Sequence, residues 1–107
     1  MKKLITIMIV TGLLSLVLFQ CTPPGTFVRT TPEIYPEKPS DYPIQVFAQS
    51  HPQHPFREIG LIETRGSSFS EVIHRMKYFA RLLGADAIYK ILYHPNGQGR
   101  SVGIVFQ

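Results

Sequence analysis

The sequence predicts a small α+β domain, with a four-stranded, mainly antiparallel sheet and one amphipathic helix packed on one face. Two observations lead to this prediction. Apolar residues alternate in four short segments, which is the period of half-buried strands. Between the second and third segments, apolar residues instead recur every three to four positions over residues 69–83, which is the helix period. The expected order is ββαββ, and 107 residues leave room for one domain.

The first 20 residues have the layout of a secretory signal peptide. Lys2 and Lys3 precede an apolar run over residues 4–19, and Cys21, the single cysteine of the chain, follows. This layout resembles a bacterial lipoprotein signal, and the resemblance implies cleavage before Cys21 and a lipid on its thiol. The two residues before Cys21 are larger than such signals prefer, so an uncleaved anchor and plain secretion stay open as alternatives. A single cysteine cannot form an intramolecular disulfide.

Residues 21–43 are predicted to be a lipidated cysteine followed by a proline-rich tether. Six prolines lie between residues 22 and 43, and each fixes φ and removes a backbone donor. A polyproline-like segment rises about 3.1 Å per residue, so this tether would hold the domain up to roughly 60 Å from a lipid surface. The α+β domain is therefore expected to span residues 44–107.

The first two strands are predicted at residues 44–49 and 58–65, and they are expected to form one hairpin. The helix follows, with Ser68 as N-cap and Glu71 completing a capping box in which each side chain satisfies a backbone donor of the other. Gly84 supplies the left-handed residue that ends the helix. The apolar stripe consists of Phe69, Val72, Ile73, Met76, Phe79, Ala80 and Leu83.

A second hairpin completes the predicted sheet. Residues 87–94 form its first strand, with Ile88 and Leu92 on one face and Ile91 on the other. Residues 95–100 form a turn rich in residues that tolerate positive φ, and residues 102–106 form the last strand. One helix covers only one face of such a sheet. The other face is expected to pack on a second copy of the chain, or alternatively under the tyrosines and the tether of a monomer.

Three histidines are the candidate metal ligands. His51 and His54 are separated by two residues, and His94 would add a third ligand if the loops meet. An exposed polar loop is the competing interpretation. Serines, carboxylates and glycines do not form a known catalytic motif, so the chain is predicted not to be an enzyme. The basic residues are scattered among acidic ones, which argues against nucleic-acid binding.

Candidate partner-contact residues lie on the solvent side of the helix and on the strand that follows it. They are Arg75, Lys77, Tyr78, Arg81, Tyr89 and Tyr93.

Two short motifs carry a resemblance to a known family. The sequence Glu-Ile-Gly-Leu-Ile at residues 58–62 and Ala-Arg-Leu-Leu-Gly-Ala-Asp-Ala-Ile at residues 80–88 resemble small bacterial envelope lipoproteins and relatives of the YbjQ and RcsF types. RcsF-like lipoproteins imply an outer-membrane stress sensor that contacts envelope proteins, although this chain lacks their disulfide cysteines. The resemblance to YbjQ-like proteins implies a ring-like oligomer. Proteins of that type are also labelled as heavy-metal-binding. Thr22 after the cysteine favours the outer membrane, facing the periplasm.

These observations predict a non-enzymatic, lipid-anchored protein of the cell envelope that presents a small domain for protein–protein contact, in assembly or stress sensing. Its expected partners are the membrane, through the lipid, unidentified envelope proteins and, as a homo-oligomer, a second copy of itself. Apart from the covalent lipid on Cys21, no cofactor is expected. The alternative is a metal- or small-ligand-binding oligomer of YbjQ-like type that uses His51, His54 and His94.

Overall fold

One helix packs on one face of a five-stranded sheet in the computed structural model, which describes residues 23–107. The predicted signal peptide and Cys21 lie outside the described residues. The elements are β1 (Gly25–Arg29), β2 (Gln45–Phe47), β3 (Phe56–Arg65), α1 (Phe69–Leu83), β4 (Ala87–Tyr93) and β5 (Gln98–Phe106).

The sheet has the strand order β1-β3-β5-β4-β2 and is mixed. The pairs β1/β3, β3/β5 and β4/β5 are antiparallel, whereas β2 runs parallel to β4. The prediction of an α+β domain with one helix on a sheet is confirmed. The prediction of four strands is wrong, and so is the first hairpin, because β2 pairs with β4 rather than with β3. The eight residues between β2 and β3 cross the sheet from β2 at one edge to β3, which lies next to the other edge.

The prediction that residues 21–43 form a tether outside the domain is wrong for the described part of that segment. Its residues 25–29 form β1, which pairs with β3 from Gly25 opposite Thr64 to Arg29 opposite Gly60. Pro24 and Pro32 flank the strand rather than interrupt it, and an edge strand tolerates such neighbours. The domain therefore begins at Gly25 instead of Ile44.

The rest of the predicted tether wraps around the end of α1. The Lys38 N–H donates to the Arg81 carbonyl at 2.8 Å, and the Arg81 Nε donates to the Tyr42 carbonyl at 2.8 Å. The Asp86 carboxylate, just beyond the helix, accepts from the Tyr42 hydroxyl at 3.1 Å and lies 3.3 Å from the Lys38 ammonium. Tyr35 and Tyr42 pack against the core. This segment is part of the folded domain.

The ends of α1 are as the sequence predicts, with one exception. The Ser68 hydroxyl accepts from the Glu71 N–H at 3.2 Å, and Gly84 ends the helix at φ 87°. Glu71 does not return the bond to Ser68, because its carboxylate accepts from the Ser67 hydroxyl at 2.7 Å and pairs with Arg75. The Ser67 hydrogen bond, together with the charge of Arg75, lowers the pKa of Glu71 below its ordinary value.

Small residues of the sheet let α1 lie close to it. A Cβ added at Gly60 or Gly103 would fall 2.5 to 2.8 Å from the side chain of Leu83, and one at Gly99 would overlap Val72 and Met76. These contacts bury most of the predicted apolar stripe. Two of its members differ, since Ile73 is half-buried and Phe69 keeps 45% of its surface exposed.

A β-bulge in β4 changes which residues face the helix. Lys90 has φ 52°, and the register between β4 and β5 shifts between Tyr89 and Leu92. The extra residue puts Ile91 on the helix side together with Ile88. The prediction that Ile91 and Ile88 lie on opposite faces is therefore wrong.

Candidate functional site

A row of five apolar residues, one from each strand, crosses the helix-free face of the sheet. Val28 in β1 lies opposite Leu61 in β3, Leu61 opposite Val102 in β5, Val102 opposite Tyr89 in β4, and Tyr89 opposite Phe47 in β2. The exposure changes along the row: Tyr89 and Val102 keep 3% and 8% of their surface exposed, whereas Leu61 keeps 44% and Val28 61%. The face therefore has a covered half and an open half.

The segment between β2 and β3 packs over the covered half. The His51 ring lies 5.5 Å from the ring of Phe56 and 5.6 Å from that of Tyr89, and the His54 ring lies 6.2 Å from that of Phe106. Pro52, between the two histidines, is buried. Phe47, Phe56 and Phe106 pack with the buried residues of this half. The tether that the sequence analysis offered as a cover lies elsewhere, around the end of α1.

Tyr89 is the one ionisable side chain among the buried residues of the covered half. Its hydroxyl donates to the Glu58 carboxylate, and the Lys90 ammonium lies 3.6 Å from the same carboxylate. Burial, reinforced by this hydrogen bond and by the negative charge of Glu58, raises the pKa of Tyr89 to about 12. Tyr89, predicted as a partner-contact residue, is used inside the domain, where its neutral hydroxyl holds Glu58.

The open half consists of Val28, Leu61, Leu92 and the ion pair between Glu63 and Arg100. Leu92 lies opposite Arg100 and keeps 56% of its surface exposed. The Arg100 guanidinium lies 3.1 Å from the Glu63 carboxylate, and both side chains are more than half exposed. Exposed aliphatic side chains bordered by paired charges are typical of a surface that contacts another protein.

The structure does not bring the three predicted metal ligands together. The His54 ring contacts Phe106 at the end of β5 and the His51 ring contacts Phe56 and Tyr89, whereas the backbone of His94 bonds to Gln98 at the beginning of β5. Eight residues at about 3.3 Å each separate these ends by roughly 26 Å. Within residues 23–107, no three His, Cys, Asp or Glu side chains are grouped closely enough to hold a metal ion.

Most of the predicted contact residues on α1 are engaged within the domain. Arg75 donates to the Arg65 carbonyl and pairs with Glu71, and Arg81 donates to Tyr42. The Tyr78 ring packs edge-on against Phe79 at 5.2 Å, and Lys77 is half-buried. Fewer side chains of α1 are therefore available to a partner than the sequence pattern predicts. Tyr93 keeps 38% of its surface exposed, and its ring meets that of Phe69 at 5.5 Å.

The residues of the open half were not singled out by the sequence analysis. Val28 was missed because it lies among prolines in the predicted tether, although Thr26, Phe27 and Val28 are residue types that favour strands. Leu61 was assigned to a strand, but its exposure depends on where the segment between β2 and β3 ends. Glu63 and Arg100 pair across β3 and β5, which requires the register.

Comparisons with known proteins give no relative for this chain. No family model, no curated protein and no solved structure matches it. The resemblance to envelope lipoproteins therefore stays a prediction. Within residues 23–107 the one helix is α1, and it is too short and too polar to span a bilayer.

Proposed function

We propose that the chain is a non-enzymatic, lipid-anchored protein of the cell envelope that presents its α+β domain for protein–protein contact through the open half of the helix-free face. The observation that carries this proposal is the row across the sheet, which is covered from Phe47 to Val102 and uncovered at Leu61 and Val28. Two neighbouring aliphatic side chains left in solvent on the face of a sheet are surface that a partner can bury.

The charges at the border fit the same role. Glu63 and Arg100 pair with each other at 3.1 Å, and both stay accessible to a partner. Such a pair contributes little to the stability of the domain, because water screens it. Across an interface, however, it orients the partner and penalises a wrong alignment. The open half thus combines apolar area for affinity with charge for specificity.

The buried and half-buried ionisable side chains of the domain are used in structural hydrogen bonds, which supports a non-enzymatic role. The Asp86 carboxylate accepts from the Tyr42 hydroxyl and from the Phe106 N–H, each at 3.1 Å. Tyr89 donates to Glu58. Each of these groups holds parts of the chain together, and this structural use accounts for its position.

Site-specific photocrosslinking of the full chain in its native envelope tests the proposal. A photoreactive amino acid at position 61 is expected to give a discrete crosslinked product. The matched control carries the same group at His74, which is exposed on the opposite side of α1 and is expected to give none. A product of twice the mass of the chain would identify a second copy as the partner, and a product of any other mass an envelope protein. Equal labelling from positions 61 and 74, or none from 61, would contradict the proposal.

Introducing a charge at position 61 supplies a second measurement. Leu61→Glu is expected to abolish the crosslink from a photoreactive group at position 28, because it places a carboxylate in the centre of the contact. Since Leu61 is already exposed, the free energy of unfolding should change by less than about 1 kcal/mol. If a folded Leu61→Glu variant crosslinks as the parent does, the open half is not the surface that contacts the partner.

A further inference from the structure

Because β1 belongs to the domain, the domain begins closer to Cys21 than the sequence analysis predicted, and this shortens its distance from the membrane. β1 begins at Gly25, four residues after Cys21, and Pro23 and Pro24 lie in between. At about 3.1 Å per residue, this link spans roughly 12 Å, compared with the roughly 60 Å of a tether that reaches Pro43. If Cys21 carries the lipid of the proposed function, on which this inference rests, the domain lies directly at the bilayer surface.

The strand register identifies the part of the domain that the link brings to the membrane. Gly25 lies opposite Thr64, Thr64 opposite Gly99, and Gly99 opposite Tyr93, so that these residues form one row across four strands. Strands are spaced about 4.8 Å apart, which puts Tyr93 roughly 14 Å from Gly25. We call this edge of the domain the anchor end.

The anchor end presents an exposed aromatic pair. The rings of Phe69 and Tyr93 meet edge-on at 5.5 Å and 77°, and they keep 45% and 38% of their surface exposed. Phe69 is the first residue of α1 and the one member of its apolar stripe that is exposed. Tyrosine, with an apolar ring and a polar hydroxyl, concentrates at the headgroup level of bilayers, and phenylalanine buries its ring at the boundary between headgroups and acyl chains.

Basic side chains lie at the same end of the sheet as this pair, on β3, on β5 and in the turn that joins β4 to β5. Arg65 and His94 are exposed and, together with Arg100, border an open hollow of about 310 Å³ next to Gly25. The anchor end carries two carboxylates, those of Glu63 and Glu71, and each is paired with an arginine, Arg100 and Arg75 respectively.

Arg65 is the further arginine of this end, and its guanidinium forms no ion pair among the described residues. Three arginines against two glutamates leave an excess of positive charge that complements anionic lipid headgroups.

We propose that the anchor end docks on the membrane, with Phe69 and Tyr93 at the headgroup level and Arg65 against anionic phospholipid headgroups. A lipid on Cys21 and an aromatic–basic surface would then act as two membrane signals on one edge of the domain. Two such signals hold a protein on a bilayer more firmly than either alone. The docking also fixes the orientation of the domain, so that the open half stands beside the bilayer and faces a neighbouring envelope protein.

The opposite end of the domain supplies a matched control. Ile34 is 76% exposed, and its neighbour Glu33 pairs with Arg57 at 2.6 Å. Arg57 lies near the beginning of β3 and Arg65 at its end, which separates the two positions by roughly 26 Å. The chain contains no tryptophan, so a single one introduced at either end reports on that end alone.

The experiment uses the full chain, purified from membranes and reconstituted into vesicles of phosphatidylcholine with or without phosphatidylglycerol. Phe69→Trp and Ile34→Trp are compared by fluorescence quenching with brominated lipids. The tryptophan at position 69 is expected to be quenched at least about twofold more strongly than that at position 34. Adding Arg65→Glu should reduce quenching at position 69 on vesicles with phosphatidylglycerol, whereas Arg29→Glu, at the other end of β1, should not.

The outcomes test the docking of the anchor end and the lipid anchor on Cys21 separately. Flotation with the vesicles measures the anchor, and a chain that does not float overturns both. A chain that floats but shows equal quenching at positions 69 and 34 overturns the docking alone. A tryptophan at position 69 that is shielded from acrylamide but not quenched by brominated lipid shows that protein covers this end, which also overturns the proposal. Quenching that is indifferent to Arg65→Glu overturns the role of anionic headgroups.

Discussion

Ile62 and Leu61 are neighbours in β3, yet Ile62 has no exposed surface and Leu61 keeps 44% of its surface in solvent. Ile62 faces α1 and Leu61 faces away from it, so the pair compares the two faces of one sheet at one position. On the helix-covered face, Gly99 and Gly103 leave room for Val72, Met76 and Leu83, and the packing is closed from Val72 to Leu83.

The helix-free face is closed by a different kind of element. Its cover is an irregular segment whose histidine rings meet aromatic rings edge-on at 5.5 to 6.2 Å, and this cover stops halfway across the sheet. A helix covers a face continuously because its apolar side chains repeat every turn, whereas an irregular segment covers only what its few side chains reach. The uncovered remainder, around Leu61, is therefore where a partner has room.

The largest effect is expected from Ile62→Ala. This substitution removes a fully buried side chain beneath α1 and leaves a cavity, so it should lower the free energy of unfolding by about 2–5 kcal/mol. Leu61→Ala, the matched change one residue away, should cost less than about 1 kcal/mol. Urea unfolding followed by circular dichroism measures both. Similar losses at the two positions would contradict the contrast between the faces.

The elements that depend on neighbouring residues could be predicted from the sequence. The stripe, the Ser68 N-cap and the left-handed Gly84 are all specified within the 17 residues from 68 to 84, and the structure has α1 at the expected bounds. β1 could not be predicted in this way, because its partner in β3 lies more than 30 residues further along the chain. The bulge at Lys90 has no glycine to signal it, yet it decides which face Ile91 takes.

The site was predictable only in outline. A helix-free face in need of a cover follows from one helix and one sheet, and the sequence analysis expected it. The division of that face at Val102 and Leu61 could not be foreseen, because it depends on His51 and Pro52 folding back over Tyr89. The same fold-back separates His51 from His94, which a spacing along the chain cannot reveal.

Asp86→Ala is expected to have the next largest effect, and it tests whether residues 33–43 belong to the domain. The Asp86 carboxylate accepts from the Tyr42 hydroxyl and from the partly buried Phe106 N–H. Losing this acceptor should lower the free energy of unfolding by about 1–3 kcal/mol. It should also speed cleavage after Glu37 by glutamyl endopeptidase, since the segment is released from α1.

The exposed Asp41 gives the control for this change. Asp41→Ala leaves the contacts of residues 35–43 with α1 in place, so both stability and cleavage after Glu37 should match the parent chain. If residues 33–43 were a free tether, the protease would cut the parent chain, Asp86→Ala and Asp41→Ala equally fast. That result would show that these residues form a linker outside the domain, as the prolines suggest.

The smallest effect at neutral pH is expected from Tyr89→Phe, in the covered half. The change removes one hydrogen bond to Glu58 and should cost about 1 kcal/mol. This cost shrinks at alkaline pH and then reverses, because the folded protein raises the pKa of Tyr89 to about 12 from an ordinary value of 10.0, whereas phenylalanine does not ionise. The neutral phenol is thus favoured in the folded state, by on the order of 3 kcal/mol.

The sign of the pH dependence follows from this shift. The stabilisation is fully present below pH 10, where Tyr89 is neutral in both states, and it is lost as the pH rises towards 12. The parent chain should therefore lose more stability between pH 10 and 12 than Tyr89→Phe does, and Tyr93→Phe should behave as the parent. Unfolding by urea at a series of pH values measures the difference. Equal losses in the parent and in Tyr89→Phe would show that the phenol is in contact with water, and the covered half would then be as open as the surface around Leu61.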